Sequence, residues 1–238
     1  MSMTRPSSPA RAAALVAAAA LVLSGCTGQD SDDPVGEGKD PDEVMELAKK
    51  TLDETSGVEI DLTGDLPSGV TGLSAATGVG THEPLAFKGS ASVTAALSLT
   101  VDVIAIEDTV WIAFPGLDYS EADPGDYGAP NPAALFATDG GISDLLVETE
   151  GLEQGDDGRG GDNNEETFTE YTGTVPADLV ENVIPSATGD DFDVAYLVSS
   201  DGELREARIT GEFYPDSDEM TYTIELDNYG TEKEITAP

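Results

Sequence analysis

The sequence has very few of the residues on which common catalytic and metal sites depend. Its 238 residues include one cysteine, one histidine and one tryptophan. A single cysteine excludes an internal disulfide framework and a cysteine-rich zinc site. A single histidine argues against a histidine-based metal site and against a Ser-His-Asp triad. We expect His82, which lies two residues before Pro84, to be a surface residue.

Basic and aromatic residues are also scarce. There are 10 Lys+Arg against 48 Asp+Glu, which gives a formal net charge of -38. Such a polyanion offers no basic footprint to phosphate groups, so nucleic acid is excluded as a partner. Aromatic residues make up 6% and hydrophobic residues 39% of the chain, which is enough for a core. The length fits one domain of ordinary size or two small ones.

The one long apolar run lies near the N-terminus, over residues 12–23. As a helix it would be about 18 Å long, shorter than the ~30 Å hydrocarbon core, so it is typical of a signal peptide. The motif LSGC at 23–26 follows directly. It resembles the bacterial lipobox, in which the cysteine thiol receives a diacylglycerol and becomes the first mature residue. The alternatives are an ordinary signal peptide with a chance cysteine, or an N-terminal anchor.

The sequence therefore divides into three parts. Residues 1–25 are a lipoprotein signal peptide, and Cys26 is the lipidation site. Residues 26–41 are polar and rich in Asp, Gly and Pro, which predicts a flexible stalk. Residues 42–238 are the folded domain. Acyl chains on Cys26 would anchor it to the cell membrane, on the extracytoplasmic face.

Hydrophobic periodicity predicts a mixture of strands and short helices. Helices are predicted near 44–52, 132–136, 142–147 and 176–184. Strands are predicted near 58–63, 90–103 with a turn near 96–100, 110–114, 167–175, 191–199, 203–214, 218–228 and 231–236. Residues 66–86 are weakly patterned, residues 115–132 form a proline-rich loop, and residues 150–166 form an acidic, glycine-rich turn. The sum is an α+β domain with a large antiparallel meander.

No motif predicts catalysis. Ser74 lacks the glycine two residues later that a nucleophile elbow needs. The acidic segment 156–166 lacks the spacing of an EF-hand calcium loop. We therefore expect no catalytic residues, no metal and no cofactor. An envelope enzyme with an unrecognised carboxylate site is a third alternative, behind the two binding functions given below.

Small residues occupy much of the apolar side of the predicted sheet, for example Ala91, Ala95, Ala105 and Ala113. A sheet face of this kind under short helices can leave an apolar space that accepts acyl chains. An ordinary packed core is the alternative, and composition alone favours it.

Several short motifs are similar to those of one lipoprotein family. Beside the lipobox they are 72–74 (GLS), 126–132 (DYGAPNP), 173–176 (GTVP), 184–187 (IPSA), 229–231 (YGT) and 235–236 (IT). Their order and spacing over 42–238 resemble the LppX/LprA/LprF/LprG family of actinobacterial lipoproteins, nearest in pattern to LprG-like members. The chain departs from the family at 107–109, where the usual Asp-Gly turn reads Glu-Asp-Thr.

The resemblance implies a curved antiparallel half-barrel sheet with helices packed on its concave side around an apolar cavity. It implies binding of acylated lipids or glycolipids and their carriage across the cell envelope, for some members beside a major-facilitator lipid exporter. We expect a monomer. The alternative function is a non-catalytic envelope binding or adhesion module with a packed core and no lipid cavity.

In the lipid-binding interpretation, acyl chains slide between the sheet and the helices while the head group stays at the rim. The candidate lining residues are Val93, Ala95, Leu97, Leu99, Val101 and Val103 from the sheet, with Leu135, Phe136, Ile142, Leu145 and Leu146 from the helices. A register shift of one residue would exchange the whole sheet set.

Overall fold

The structure is a computed structural model that describes residues 38–94, 98–127, 129–160, 166–215 and 217–238. The described residues form an 11-stranded sheet, with every pair of neighbouring strands antiparallel. The sheet does not close on itself, because β6 lies at one edge and β7 at the other. The predicted α+β half-barrel class is confirmed.

The helices and strands follow one another from residue 41 to residue 227. The helices are α1 (Pro41–Glu54), α2 (Ile142–Val147) and α3 (Ala177–Val183), with 3₁₀ turns at Pro124–Tyr127 and Ala134–Phe136. The strands are β1 (Gly57–Gly64), β2 (Gly72–His82), β3 (Leu85–Thr94), β4 (Ser98–Ile106), β5 (Thr109–Ala113), β6 (Ser120–Glu121), β7 (Glu150–Gly160), β8 (Glu166–Pro176), β9 (Asp191–Ser199), β10 (Leu204–Gly211) and β11 (Met220–Asp227).

Two meanders make up the sheet. The order is β6-β5-β4-β3-β2-β1-β11-β10-β9-β8-β7, so each meander runs through consecutive strands. The pairing of β1 with β11 joins them, with Ile60 opposite Leu226. The sheet therefore has two halves, β1–β6 and β7–β11, which present one continuous inner face.

Helix α1 has both an N-terminal capping residue and an apolar stripe at helical spacing, which is why the sequence predicts it well. The Asp40 carboxylate accepts a hydrogen bond from the Asp42 N–H at 3.1 Å, and Pro41 occupies the first turn, where it gives up no helical hydrogen bond. The buried stripe follows helical spacing and consists of Val44, Met45, Ala48 and Leu52.

The three helices pack against one half of the sheet. Helix α1 contacts α2, β7 and β10, and α3 contacts β8 and β9. The largest fully buried side chains lie mostly here, among them Tyr171, Tyr196, Phe192 and Phe213. This half of the molecule has a conventional packed core. None of the three helices covers the inner face of β1–β5.

Three sequence predictions of secondary structure were wrong. Residues 72–82 form a full strand, β2, although their small and polar residues give no clear alternation. Residues 150–160 form the edge strand β7, paired only with β8 through two bulges, and almost all of its residues are exposed. Backbone pairing with β8 holds most of it, and Leu152 is its one residue packed against the core, so no hydrophobic period marks it. Residues 231–236 form no strand. Instead Ile235 is buried against Ala86 and Ile104 on the outer face.

Candidate functional site

Side chains of β1–β5 form transverse rows on the inner face of the sheet. Because the strands pair in register, Val93 lies opposite Leu99, and Ala91 lies opposite Val101. Because Thr94 pairs with Ser98, odd-numbered residues of β3 lie opposite odd-numbered residues of β4, and both sets face the same side of the sheet. The predicted turn near 96–100 overlaps the start of β4 at Ser98, and residues 95–97 lie outside the described residues.

Glycine and alanine occupy the centre of these rows. Gly78 of β2 pairs with Gly89 of β3, and the next row pairs Ala76 with Ala91. Because Ala76 and Ala91 carry only a methyl group, the inner face leaves open space at their row, whereas the Gly78–Gly89 row accommodates the tip of the Phe87 ring. The space expected from small residues is therefore present, although it centres on β2 and β3.

A proline-rich segment covers this open space. Residues 122–127 and 129–135, here called the 122–135 roof, cross above the sheet and contribute Ala122, Pro124, Ala129, Pro130, Pro132 and Leu135 to the cavity lining. Proline carries no N–H, so a roof rich in proline turns few backbone donors toward an apolar space. Asn131 fixes the segment, since its side-chain amide donates to the Glu107 carbonyl at 2.8 Å.

Between sheet and roof lies an apolar cavity of about 240 Å³. All of its lining residues are apolar. The sheet contributes Ile60, Leu62, Leu73, Ala76, Phe87, Ala91, Val93, Leu99, Val101, Val103, Val110, Ile112 and Phe114. Leu99 is 46% exposed, whereas Phe87, Val103 and Val110 are at most 5% exposed. The cavity therefore opens at the Leu99 end and is closed at the Phe87 end.

Aromatic rings close the deep end. A methyl group placed on Gly78 would lie 2.6 Å from Cζ of Phe87, and one on Gly89 would lie 2.8 Å from it. The ring of Phe136 occupies the corresponding space over Gly80 and stacks on Phe87, with centroids 6.5 Å apart and an interplanar angle of 11°. The rings therefore fill a notch that only glycine leaves open.

A narrow side cavity of about 20 Å³ shares Leu62, Leu73, Pro130 and Leu135 with the main one. Tyr214 and Tyr222 lie at its far side, and their hydroxyl oxygens are 2.7 Å apart. Burial raises the pKa of the Tyr222 hydroxyl, and the shared hydrogen bond with Tyr214 raises it further. Tyr222 therefore stays protonated and acts as a neutral donor.

The cavity provides no charge, nucleophile or titratable group on its walls. Among the described residues, no cluster of His, Cys, Asp and Glu has the geometry to hold a metal ion. No helix in the described part of the chain is both long and apolar enough to cross a membrane. The arrangement can bind an apolar group by excluding water from it, with little directional chemistry.

The lone histidine lies beside this site and not on the surface. His82 is half-buried, and its ring meets Phe136 edge-on with centroids 6.4 Å apart. Both ring nitrogens are shielded from solvent without a hydrogen-bond partner among the described residues. Pro84, two residues later, favours a surface turn in the sequence, but the β2–β3 hairpin places His82 under the 3₁₀ turn at Ala134–Phe136.

The structure brings five of the predicted lining residues together around the cavity. They are Val93, Leu99, Val101, Val103 and Leu135. Four others are buried in the core outside the cavity lining, at 2% exposure or less, and these are Phe136, Ile142, Leu145 and Leu146. Ala95, Leu97 and the lipidation site Cys26 lie outside the described residues.

Sequence reasoning missed two groups of lining residues. The first lies on the inner face of β1, β2 and β5 and includes Phe87 and Ala91 of β3, although the alternation at 58–62 already indicated which side of β1 is apolar. The second is the roof at 122–135. Its unusual proline content was visible, but a loop offers no periodicity that shows which face it presents.

Almost the whole described part of the chain matches the sequence model of one protein family. The model of the LppX_LprAFG lipoprotein family matches residues 40–237. The chain belongs to this family. The resemblance inferred from short motifs is thereby confirmed, although a comparison with curated proteins gives no significant match.

Two crystal structures show the same fold. LprF from Mycobacterium bovis is 16% identical with a TM-score of 0.67, and the likeness covers 83% of this chain and 96% of that chain. The lipoprotein LppX from Mycobacterium tuberculosis is 14% identical with a TM-score of 0.59, and the likeness covers 83% of this chain and 100% of that chain.

Proposed function

We propose that this lipoprotein is anchored to the outer face of the cell membrane through Cys26 and carries acylated lipids or glycolipids across the envelope. The observation that supports this most directly is the apolar cavity between the sheet and the 122–135 roof. An acyl chain would occupy the cavity, and the polar head group would stay outside near Leu99. Transfer would need no chemical step and could involve a major-facilitator exporter.

The energy of the cavity favours an occupant. Water inside this open cavity would find no hydrogen-bond partner on the walls, because every lining residue is apolar. Natural cores remove such spaces with larger side chains, and Ala76 and Ala91 leave room for them. An acyl chain would replace the missing contacts, with each buried methylene contributing about 0.8 kcal/mol.

The size of the cavity also defines the ligand. Pockets for small molecules usually measure roughly 300–1,000 Å³. A cavity of about 240 Å³ is smaller and suits one slender chain. We therefore place one acyl chain of the lipid inside and leave its other parts at the opening.

The proposal is tested by filling the cavity with protein. The chain from residue 26 onward contains all described elements, and Cys26→Ser prevents acylation. We expect this protein, purified without detergent, to carry bound lipid that is visible by native mass spectrometry. Ala91→Phe should strongly reduce this occupancy, because its ring would occupy the centre of the cavity.

Ser90→Phe is the matched control, since Ser90 is the neighbouring residue and points to the opposite face of β3. It should keep its lipid. Lipid-free protein before any substitution, or equal occupancy in the two variants, would contradict the proposal. The first result would favour the alternative of a binding module that carries no lipid.

A further inference from the structure

The cavity has a defined end, and its position follows from strand register. Along β3 the inner-face residues are Val93, Ala91, Gly89 and Phe87, in that order from the open end inward. Phe87 lies opposite Ala105, and Ala105 lies opposite Val110. The next pair toward the hairpin, His82 and Leu85, contributes nothing to the lining of the cavity. The cavity thus stops where the first large ring meets the sheet.

The ring of Phe87 leans into the cavity and does not stand upright on its own row. Its tip, Cζ, lies over the Gly78–Gly89 pair of the preceding row. Phe136 stacks behind it at 6.5 Å, and Phe136 is itself seated on Gly80. The Phe87 ring therefore has support on the side away from the opening and cannot swing back without displacing a second buried ring.

The distance from opening to stop has the scale of a fatty acyl chain. Four residue steps of β3 lead from Val93 to Gly89, over which the tip of the Phe87 ring lies, and they span about 13 Å at roughly 3.3 Å per residue. This depth is comparable with the inner part of an extended acyl chain of an ordinary membrane lipid. A chain longer than the cavity would have to leave its extra methylenes in water at the opening.

We infer that Phe87, backed by Phe136, sets the length of acyl chain that the cavity accepts. This inference rests on the proposed lipid-binding function and adds a specificity-determining residue to it. A rigid apolar end discriminates by length because each methylene beyond it loses its burial.

The test offers the lipid-free chain, from residue 26 with Cys26→Ser, an equimolar mixture of laurate, palmitate and arachidate. Native mass spectrometry then gives the proportions bound. Phe87→Leu removes the ring tip over Gly78 and Gly89. It should raise the ratio of palmitate to laurate by roughly tenfold, the discrimination that a methylene at the end of an apolar pocket provides.

A second variant should act in the opposite direction. Val110→Leu adds volume in the same row as Phe87 and should shift binding toward laurate. It keeps the inference testable even where Phe87→Leu folds poorly. Phe192→Leu is the matched control, because Phe192 is also a buried ring over a glycine, Gly211, but lies outside the cavity.

The outcomes separate the two proposals. Opposite shifts in the Phe87 and Val110 variants, with none in the Phe192 variant, would support the length stop. Binding with the same chain-length profile in all variants, or an equal shift in the control, would overturn the length stop and leave lipid binding intact. No binding of any fatty acid by the unsubstituted protein would overturn the proposed function itself.

Discussion

At the scale of single residues, two tyrosines complete the backbone hydrogen bonds of the cavity wall. Strand β1 accompanies β2 only as far as the pair Thr63–Ala75, so Leu73 extends beyond it. The Tyr222 hydroxyl donates to the Leu73 carbonyl at 2.7 Å, and the Leu73 N–H donates to the Tyr214 hydroxyl at 3.1 Å. The hydroxyls thus replace a missing strand partner at a lining residue.

Replacing Tyr222 by phenylalanine should lower the free energy of unfolding by about 1–3 kcal/mol. The substitution removes the donor to the half-buried Leu73 carbonyl and leaves the Tyr214 hydroxyl without its partner on Tyr222. Chemical denaturation followed by tryptophan fluorescence would measure the change.

Tyr171→Phe provides the control for this prediction. The Tyr171 hydroxyl is buried and has no hydrogen-bond partner among the described residues, so its removal should leave stability equal or slightly higher. A loss of equal size in both variants would show that the tyrosine pair has no special role.

At the scale of elements, the junction between the two meanders places like charges opposite one another. Asp61 of β1 pairs with Glu225 of β11, and Glu225 also pairs with Glu206 of β10. Arg208 and Arg205 offset part of this repulsion, with Arg208 3.2 Å from Glu206 and Arg205 3.0 Å from Asp227. Glu225 has no such partner among the described residues.

Partial burial raises the pKa of the Glu225 carboxyl, and the charges of Glu206, Asp61 and Asp227 raise it further. The folded protein therefore binds this proton more tightly than the unfolded chain does. Stability from this group falls as the pH rises through the folded pKa and is recovered on acidification toward the ordinary value of 4.5.

Glu225→Gln should therefore stabilise the fold at neutral pH, by about 0.2–1 kcal/mol, the usual size of a cross-strand charge effect. The advantage over the unsubstituted protein should shrink as the pH falls toward 4.5. Urea denaturation across this pH range would measure it. Glu181→Gln, the same charge change on exposed α3, should show no comparable pH dependence.

The elements also show what a sequence pattern can and cannot predict. Alternation located β1, β9, β10 and β11, because each buries one face. It failed for β2, whose small residues give no clear alternation, and for β7, whose glycine and acidic residues are almost all exposed. It placed Val93 and Leu99 on the cavity side, because odd-numbered residues face the same side of the sheet in both β3 and β4. It could not tell that Phe136 and Leu145 belong to the core, because a buried side chain has the same pattern whichever space it fills.

At the scale of the whole molecule, acidic residues outnumber basic ones by 48 to 10 and are spread over most segments. The cavity wall nevertheless carries no charge, so charge and function occupy different surfaces. A strongly negative protein held close to an anionic membrane would be repelled from it unless it is attached. Attachment through Cys26 is therefore an essential part of the proposed function.

Intact-mass spectrometry of the full chain recovered from membranes should give a mature protein that begins at Cys26 and carries an added diacylglycerol. Cys26→Ser should abolish the added mass, because no other cysteine is present. A mature protein that begins elsewhere, or one that carries no lipid, would contradict the anchor.

The seam between β1 and β11 has a consequence for folding. Within each meander every strand pairs with a neighbour in the chain, so those contacts close short loops. The seam pairs Ile60 with Leu226 and so must wait for almost the whole chain. The cavity half, from β1 to the 122–135 roof, is made of early and local contacts, whereas its union with the helical half comes last. Because Tyr214 and Tyr222 complete the wall at Leu73, the lipid site is finished only when this last seam has closed.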